Sequence, residues 1–328
     1  MRYVDGVTTK KKISTIGLGA WQFGSREWGY GAAYAASEAP AIVRRAVELG
    51  VTFFDTAEVY AFGRSERILG GALKEAGALE TAVVATKLFP VLPVAPVVEQ
   101  RAVASANRLG VRQIDLYQVH QPNPLVPDTS TMRGMAALQR VGLVDAVGVS
   151  NYSLERWQAA EEALGAPVLS NQVQFSLVRP QVERDLLPYA VKNDRLIIAY
   201  SPLAQGLLSG RYTREHRPTS RVRAMNPLFL PENLDAVRPV LNVLRDVAAA
   251  HDASPAQIAL AWVIRHPNVV AIPGAATVAQ LESNVAAADI ELTEVEYGAL
   301  KAASDAFEPA LGPRAAISAI LRGGIRRS

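Results

Sequence analysis

Val51-Thr52-Phe53-Phe54-Asp55, followed at once by Thr56-Ala57-Glu58-Val59-Tyr60, is a short continuous hydrophobic run that ends on an acid and then a phenol. A run of this length, rich in β-branched and aromatic residues, reads as a strand buried on both faces. The pattern recurs: Val83-Val84-Ala85-Thr86 leads to Lys87, and Ile114 to Val119 leads to His120. An acid, a phenol, an amine and an imidazole carried at or just past successive strand ends meet at one mouth only if those strands run parallel. Asp55, Tyr60, Lys87 and His120 are therefore the candidate catalytic residues.

Working outward, strand-like runs cover Thr15 to Gly19, Val51 to Asp55, Ala82 to Lys87, Ile114 to His120, Leu143 to Ser150, Val168 to Val173, Arg195 to Tyr200 and Asn268 to Ile272. Helical patterns lie between them, and Gly50, Gly77, Gly110 and Gly165 stand where helix C-caps belong. Eight hydrophobic strands alternating with helices predict a parallel sheet covered by helices, closed as a (β/α)8 TIM barrel. An open Rossmann sheet competes, but Gly17-Leu18-Gly19-Ala20-Trp21-Gln22 lacks the third glycine of its phosphate-binding turn. Residues 1–328 are expected to be one domain. Met1 to Ser14, with Asp5-Gly6, reads as an N-terminal β-hairpin plugging the barrel bottom, and 306–328 as a C-terminal tail. Two long segments, Gln22 to Ser37 and the arginine-bearing Leu203 to Asp235, follow strand ends and read as lids.

Composition excludes several classes. With no cysteine, disulfides, thiolate catalysis and cysteine-ligated metal centres are ruled out. Lys plus Arg exceed Asp plus Glu by 34 − 31 = 3, too small an excess to argue for nucleic acid when no basic reading face accompanies it. Arg314, Arg322, Arg326 and Arg327 form a basic cluster that reads as a solvated end. No run approaches the ~18 apolar residues of a membrane span, and Met1 to Ile16 does not read as a signal peptide. The expectation is a soluble, cytoplasmic protein without nucleic-acid or membrane partners. His120, His216, His251 and His266 are scattered without zinc-helix spacing, which counts against a metal-dependent hydrolase.

Taken singly, each of the four has an ordinary explanation: Asp55 as a cap, Lys87 as a snorkelling surface cation, His120 as a structural histidine, Tyr60 as lid packing. A lysine in a buried strand needs a partner, however, and Asp55 is available. The joint pattern carries a resemblance. Asp55-Thr56-Ala57-Glu58-Val59-Tyr60 with Ser65-Glu66 is similar to the aldo-keto reductase motif Asp-Thr-Ala-x-x-Tyr-Gly-x-Ser-Glu. Ala85-Thr86-Lys87, Asp115 to His120, Gly148 to Tyr152, Tyr200-Ser201-Pro202-Leu203 and Ile272-Pro273-Gly274-Ala275 resemble further family motifs, in order, from about Ile13 to about Asp305. The resemblance implies a (β/α)8 barrel that binds a nicotinamide cofactor without a Rossmann fold.

Residue chemistry runs the same way. Reducing a carbonyl requires hydride at carbon and a proton at oxygen, and Tyr60 is the one of the four whose neutral form dominates at neutral pH and whose hydroxyl can face an oxygen. A Lys87 ammonium ~4 Å from that hydroxyl is worth ~4 kcal/mol at an effective dielectric of 20, enough to lower the phenol pKa from its usual ~10. Asp55 would hold Lys87 charged, and His120 would polarise the carbonyl. The family assigns the same roles.

The resemblance further implies carboxamide contacts from Ser150, Asn151 and Gln172, a stacking ring at Tyr200, and a pyrophosphate loop of Ser201, Pro202, Leu203, Gln205 and Gly206 with Arg211. It implies adenosine contacts from Gln280 and Asn284, and further cofactor contacts from Gly19, Ala20, Trp21, Gly274 and Ala276. Where many NADP-specific members carry Lys or Arg, Gly274-Ala275-Ala276-Thr277 stands instead. A lid arginine, Arg221 or Arg223, would then hold the 2′-phosphate. NADP(H) is favoured, with NAD(H) as the alternative. Trp21, Trp28, Phe89 and Gln121 match the substrate-pocket rim for a small-molecule carbonyl substrate. The competing reading is a cofactor-binding regulatory subunit resembling potassium-channel β subunits, with slow or no turnover.

Overall fold

The computed structural model describes residues 1–5, 7, 9–25, 31, 34 and 37–324, and at 221, 316 and 320–324 the backbone alone. Eight strands are hydrogen-bonded in sequence order, every pair parallel: β1 (Leu18–Gly19), β2 (Phe53–Asp55), β3 (Val83–Leu88), β4 (Ile114–Val119), β5 (Val144–Ser150), β6 (Val168–Gln174), β7 (Leu196–Tyr200) and β8 (Val269–Ala271). The ring closes where Ile16 pairs with Ala271 and Gly17 N–H donates to the Ala271 carbonyl at 2.8 Å. Glycine makes this closure fit. A Cβ on Gly17 would lie 2.9 Å from the Phe53 carbonyl oxygen, and one on Gly19 would lie 2.9 Å from that of Ile272.

Helices cover the outside of the barrel: α1 (Glu38–Glu48), α2 (Arg64–Glu75), α3 (Ala95–Leu109), α4 (Asp128–Arg140), α5 (Leu154–Leu164) and α6 (Leu186–Lys192). After β7 come α7 (Arg221–Ala224), α8 (Pro231–Ala236), α9 (Arg238–Ala250) and α10 (Pro255–Ile264). After β8 come α11 (Val278–Ala286), α12 (Glu294–Asp305) and α13 (Pro313–Gly324). The expected (β/α)8 barrel is thus the observed one. Strand ends differ from expectation by one or two residues at most positions, and β1 shrinks to two because Thr15 and Ile16 serve the closure.

Strand alternation separates two cores. Phe53, Val83, Ala85, Leu116, Leu196, Ile198, Val270 and Ile272 fill the barrel with Ile13, whereas Phe54, Val84, Tyr117, Val119 and Ile197 face the helices. Parity then places Asp55 above Phe53, Lys87 above Ala85, and Gln118 and His120 above Leu116. The lower layers are hydrocarbon and the top layer is polar.

Near the N-terminus, Tyr3 and Ser14 form an antiparallel bridge, Val4 N–H donates to the Ile13 carbonyl at 2.8 Å, and Val4 and Val7 pack on the interior cluster. The turn expected at Asp5-Gly6 falls partly outside the described residues. The stretch expected as a tail folds in part: α13 packs against α7 and the short turn Pro227–Phe229, with Arg314 exposed. Arg326 and Arg327 lie outside the described residues.

Helices α2 and α3 meet at Gly70, where a Cβ would overlap the Leu109 carbonyl oxygen; next to it, Gly71 faces open space. Gly70→Ala should therefore lower stability by about 1–3 kcal/mol through overpacking, while Gly71→Ala should be neutral or gain up to about 1 kcal/mol of helix propensity. Urea midpoints of the two variants check this; equal midpoints would refute the close approach.

Candidate active site

The top layer brings all four expected catalytic residues together. Lys87 is wholly buried; its Nζ donates to Asp55 Oδ1 at 2.6 Å and to the Thr56 carbonyl at 2.7 Å. An ammonium has three donors, and the third is left for Tyr60, whose ring centroid lies 5.1 Å from Nζ. Asp55 Oδ2 accepts from Gln172 Nε2 at 2.8 Å and from Gln118 Nε2 at 3.3 Å. His120 stands edge-on to Tyr60 with ring centroids 5.7 Å apart, and Trp21 lies on the other side at 6.1 Å.

Tyr60 opens the short turn Tyr60–Gly63, in which Ala61 and Phe62 adopt left-handed backbone at φ 48° and 55°. That conformation is costly for residues with a Cβ and is tolerated where surrounding structure enforces it. Asn151, Ser201, Ala204 and Gln205 are also left-handed, so backbone strain gathers at this mouth.

Burial and charge set the protonation states. Desolvation pulls the Lys87 pKa down, but Asp55 and then Tyr60 pull it up further, and the net shift is upward. The expectation that Lys87 would leave Tyr60 more acidic than an ordinary phenol is corrected here. Desolvation raises the Tyr60 pKa, Lys87 lowers it by less, Asp55 raises it again, and the net direction is upward. Burial is the main reason, and the carboxylate already paired with the ammonium adds to it. His120 is lowered to about 3, by burial first and then by Lys87, so its imidazole is neutral at physiological pH.

Asp55, Tyr60 and His120 line a cleft of about 1020 Å3, with Lys87 buried behind them. Of the residues expected to hold a cofactor, Gly19, Trp21, Ser150, Asn151, Gln172, Tyr200, Ser201, Pro202, Leu203, Gln205, Gly206, Arg211, Gly274, Ala276, Gln280 and Asn284 line it. Ser150 Oγ donates to the Gln172 carbonyl at 2.8 Å, and Tyr200 Oη donates to Asn151 Oδ1 at 3.0 Å, so this wall is internally braced. Gln280 Oε1 accepts the Ala276 N–H at 2.8 Å and Asn284 Nδ2 donates to the Gly274 carbonyl at 3.4 Å, fixing the turn after β8. Across the cleft, Arg223 Nε donates to the Gln205 carbonyl at 2.9 Å.

Three expectations shift. Ala20 is fully buried, its N–H on the Asp55 carbonyl at 2.8 Å, so it underlies the cleft instead of lining it. Phe89 packs edge-on to His120 at 6.0 Å and does not line the cleft, because Glu58 takes its backbone N–H and Arg101 anchors Glu58 at 2.6 Å. Gln121 does line it. Trp28 and the Arg221 side chain lie outside the described residues, and Arg223 occupies the lid position against the cleft. Among the residues missed are Gln118, whose signal was its parity with His120, and Arg179, which reaches the cleft from an irregular loop after β6. No sequence period marks the latter. Among the described residues, the cleft lining carries three guanidiniums, Arg179, Arg211 and Arg223, and one acid, the already paired Asp55. A dinucleotide fits that donor set, with cations for its phosphates, amides for a carboxamide and the Tyr200 face for a flat ring.

Known proteins share both the sequence and the fold. An uncharacterized oxidoreductase of Mycobacterium tuberculosis (strain ATCC 25618 / H37Rv), Rv2298, is 57% identical over 309 residues, spanning 94% of each chain. The structure of the glycerol dehydrogenase AKR11B4 from Gluconobacter oxydans superposes with a TM-score of 0.85 at 28% identity, covering 95% of this chain and 97% of that one. An aldo/keto reductase from Klebsiella pneumoniae, solved in complex with NADP and acetate, gives 0.72 at 30% identity, covering 92% and 95%. The sequence model of the Aldo/keto reductase family matches residues 15–305. A closed barrel, four clustered polar residues at its mouth and a family match over most of the length lead to one conclusion: this chain belongs to the aldo/keto reductase family.

Proposed function

We propose that the protein is an NADPH-dependent carbonyl reductase acting on small aldehydes or ketones, with Tyr60 as the proton donor. The observation that carries this reading is a phenol set against a wholly buried Lys87–Asp55 pair at the floor of a cleft whose other charges are cationic. The Klebsiella relative solved with NADP supports the choice of cofactor.

When bound, the nicotinamide supplies the hydride. The residues of the chain do the rest. Tyr60, whose pKa burial raises, is protonated at neutral pH and passes its proton to an oxygen that becomes more basic than a phenolate as hydride arrives. Lys87 then stabilises the tyrosinate, which is where its charge acts most. Asp55 keeps Lys87 ionised and aimed. His120, neutral, donates a hydrogen bond to the same oxygen without competing for the proton. Arg211 and Arg223 neutralise phosphates, and Arg223 is assigned the 2′-phosphate because it meets the cleft from the lid. The rim of Trp21 and Gln121 receives the organic part of the substrate.

Turnover of NADPH with 4-nitrobenzaldehyde tests the whole reading, and binding of both reduced dinucleotides without turnover would refute it. Tyr60→Phe should lower kcat by about 10²–10⁴-fold while the NADPH dissociation constant, read by fluorescence titration, barely moves. Near-native turnover would remove Tyr60 from the reaction. Arg223→Ala should cut the preference for NADPH over NADH by about ten- to a hundredfold, the worth of one charge-assisted hydrogen bond; an unchanged ratio would assign the 2′-phosphate elsewhere. Because the His120 pKa lies near 3, far below its ordinary 6.5, the imidazole stays neutral as pH rises from 5 to 8. The kcat/KM for reduction should show no inflection near pH 6.5, and one that vanishes in His120→Gln would contradict the assignment.

A further inference from the structure

We propose that Gln118 is a positioning residue for the proton donor: its side-chain amide, together with that of Gln172, clamps the second oxygen of Asp55 and keeps the Lys87–Asp55 pair aimed at Tyr60. This rests on the assignment of Tyr60 given above. Asp55 is buried, and a buried carboxylate needs donors on both oxygens. Oδ1 has Lys87 at 2.6 Å; Oδ2 has Gln172 Nε2 at 2.8 Å and Gln118 Nε2 at 3.3 Å. Gln172 Nε2 also lies 3.5 Å from Gln118 Oε1, so the two amides brace each other.

The two glutamines differ in what else they face. Gln172 lines the cleft, with its side-chain carbonyl oxygen placed to accept from a ligand amide, whereas Gln118 is wholly buried behind it and does not line the cleft. Gln118 therefore faces only Asp55 and Gln172. It stands on β4 directly above Leu116, in the interior column where hydrocarbon would otherwise pack. The neighbouring strands make room for it. Lys87, Gln118 and Gly148 are register partners across β3, β4 and β5, and a Cβ on Gly148 would lie 2.9 Å from Gln118 Cγ. An amide in that space costs desolvation unless it is bonded, and Asp55 is the partner that repays it.

Removing this donor leaves the Asp55 charge less compensated where it meets Tyr60. The other titratable or charged groups around the phenol are Lys87 from β3, His120 past the end of β4, and Tyr200 at the end of β7 with Arg179 beside it. Of these, only Lys87 is linked to position 118, through Asp55. A less compensated Asp55 makes the phenol harder to ionise, so the pH at which Tyr60 becomes a base moves up.

The test is the pH profile of alcohol oxidation with NADP+, in which Tyr60 must first lose its proton. In Gln118→Leu the rising limb should move up by about half to one pH unit, lowering kcat about three- to tenfold on that limb, with the alcohol KM and the NADP+ dissociation constant within about twofold. Gln118→Met, which keeps the unbranched shape, should behave alike if the leucine variant folds poorly by its urea midpoint. Superimposable profiles, or a lower kcat with an unmoved limb, overturn the proposal. A second readout needs no turnover: the Tyr60 Cζ carbon-13 resonance, assigned by its loss in Tyr60→Phe, should titrate later in the position-118 variants. Coincident titrations would overturn the clamp even if the unaltered protein reduced no carbonyl compound, an outcome that would remove the reaction but not this measurement.

Discussion

A lysine ammonium with no exposed surface, bonded to a carboxylate with almost none, is the constraint around which the upper barrel is arranged. Burying an ion pair costs several kcal/mol per ion before attraction and hydrogen bonds offset it. The barrel meets that cost by surrounding both ions with donors and acceptors: the Thr56 carbonyl for Lys87, and the amides of Gln118 and Gln172 for Asp55. Each comes from a different strand or strand end. Closure of the sheet is what makes this convergence geometrically available, because a parallel barrel directs every strand end to one mouth.

Burial, more than the pair, explains why Tyr60 is not an unusually acidic phenol in the protein alone. A bare ammonium would lower its pKa, but this one arrives with its counter-ion, and burial decides the sign. A phenol in this setting stays protonated at neutral pH, as the proposed proton donor must. Around it, left-handed backbone at Ala61, Phe62, Asn151, Ser201, Ala204 and Gln205 marks where loops are held in costly conformations to shape the cleft. The arginines of the lid and of the loop after β6 give that cleft a charge suited to a polyanionic ligand.

Much of this was legible along the chain. The eight hydrophobic runs announced a parallel sheet because strands buried on both faces leave no polar alternation. The placement of Asp55, Lys87 and His120 at their ends announced a mouth. The motif around Tyr60 carried the family, and the family carried most of the cleft lining. What resisted reading was local. Ala20 was expected at the cofactor yet is wholly buried beneath the cleft. Phe89 is drawn onto His120 by a backbone bond to Glu58, which no spacing shows. Arg179 comes from a loop without periodicity, and the stretch after 306 folds in part as α13, set against α7 and the turn at Pro227–Phe229.

Sequence alone determined the class of fold and picked out the candidate site residues, since hydrophobic period and residue chemistry are properties of the chain taken in order. Tertiary structure alone decided how those groups are charged. The net shift of Tyr60, the neutrality of His120 and the service of Gln118 to Asp55 depend on distances between side chains from strands far apart in sequence, and on how much water the closed barrel excludes. Electrostatic energy scales with separation and local dielectric, and neither quantity is written in a linear order of residues.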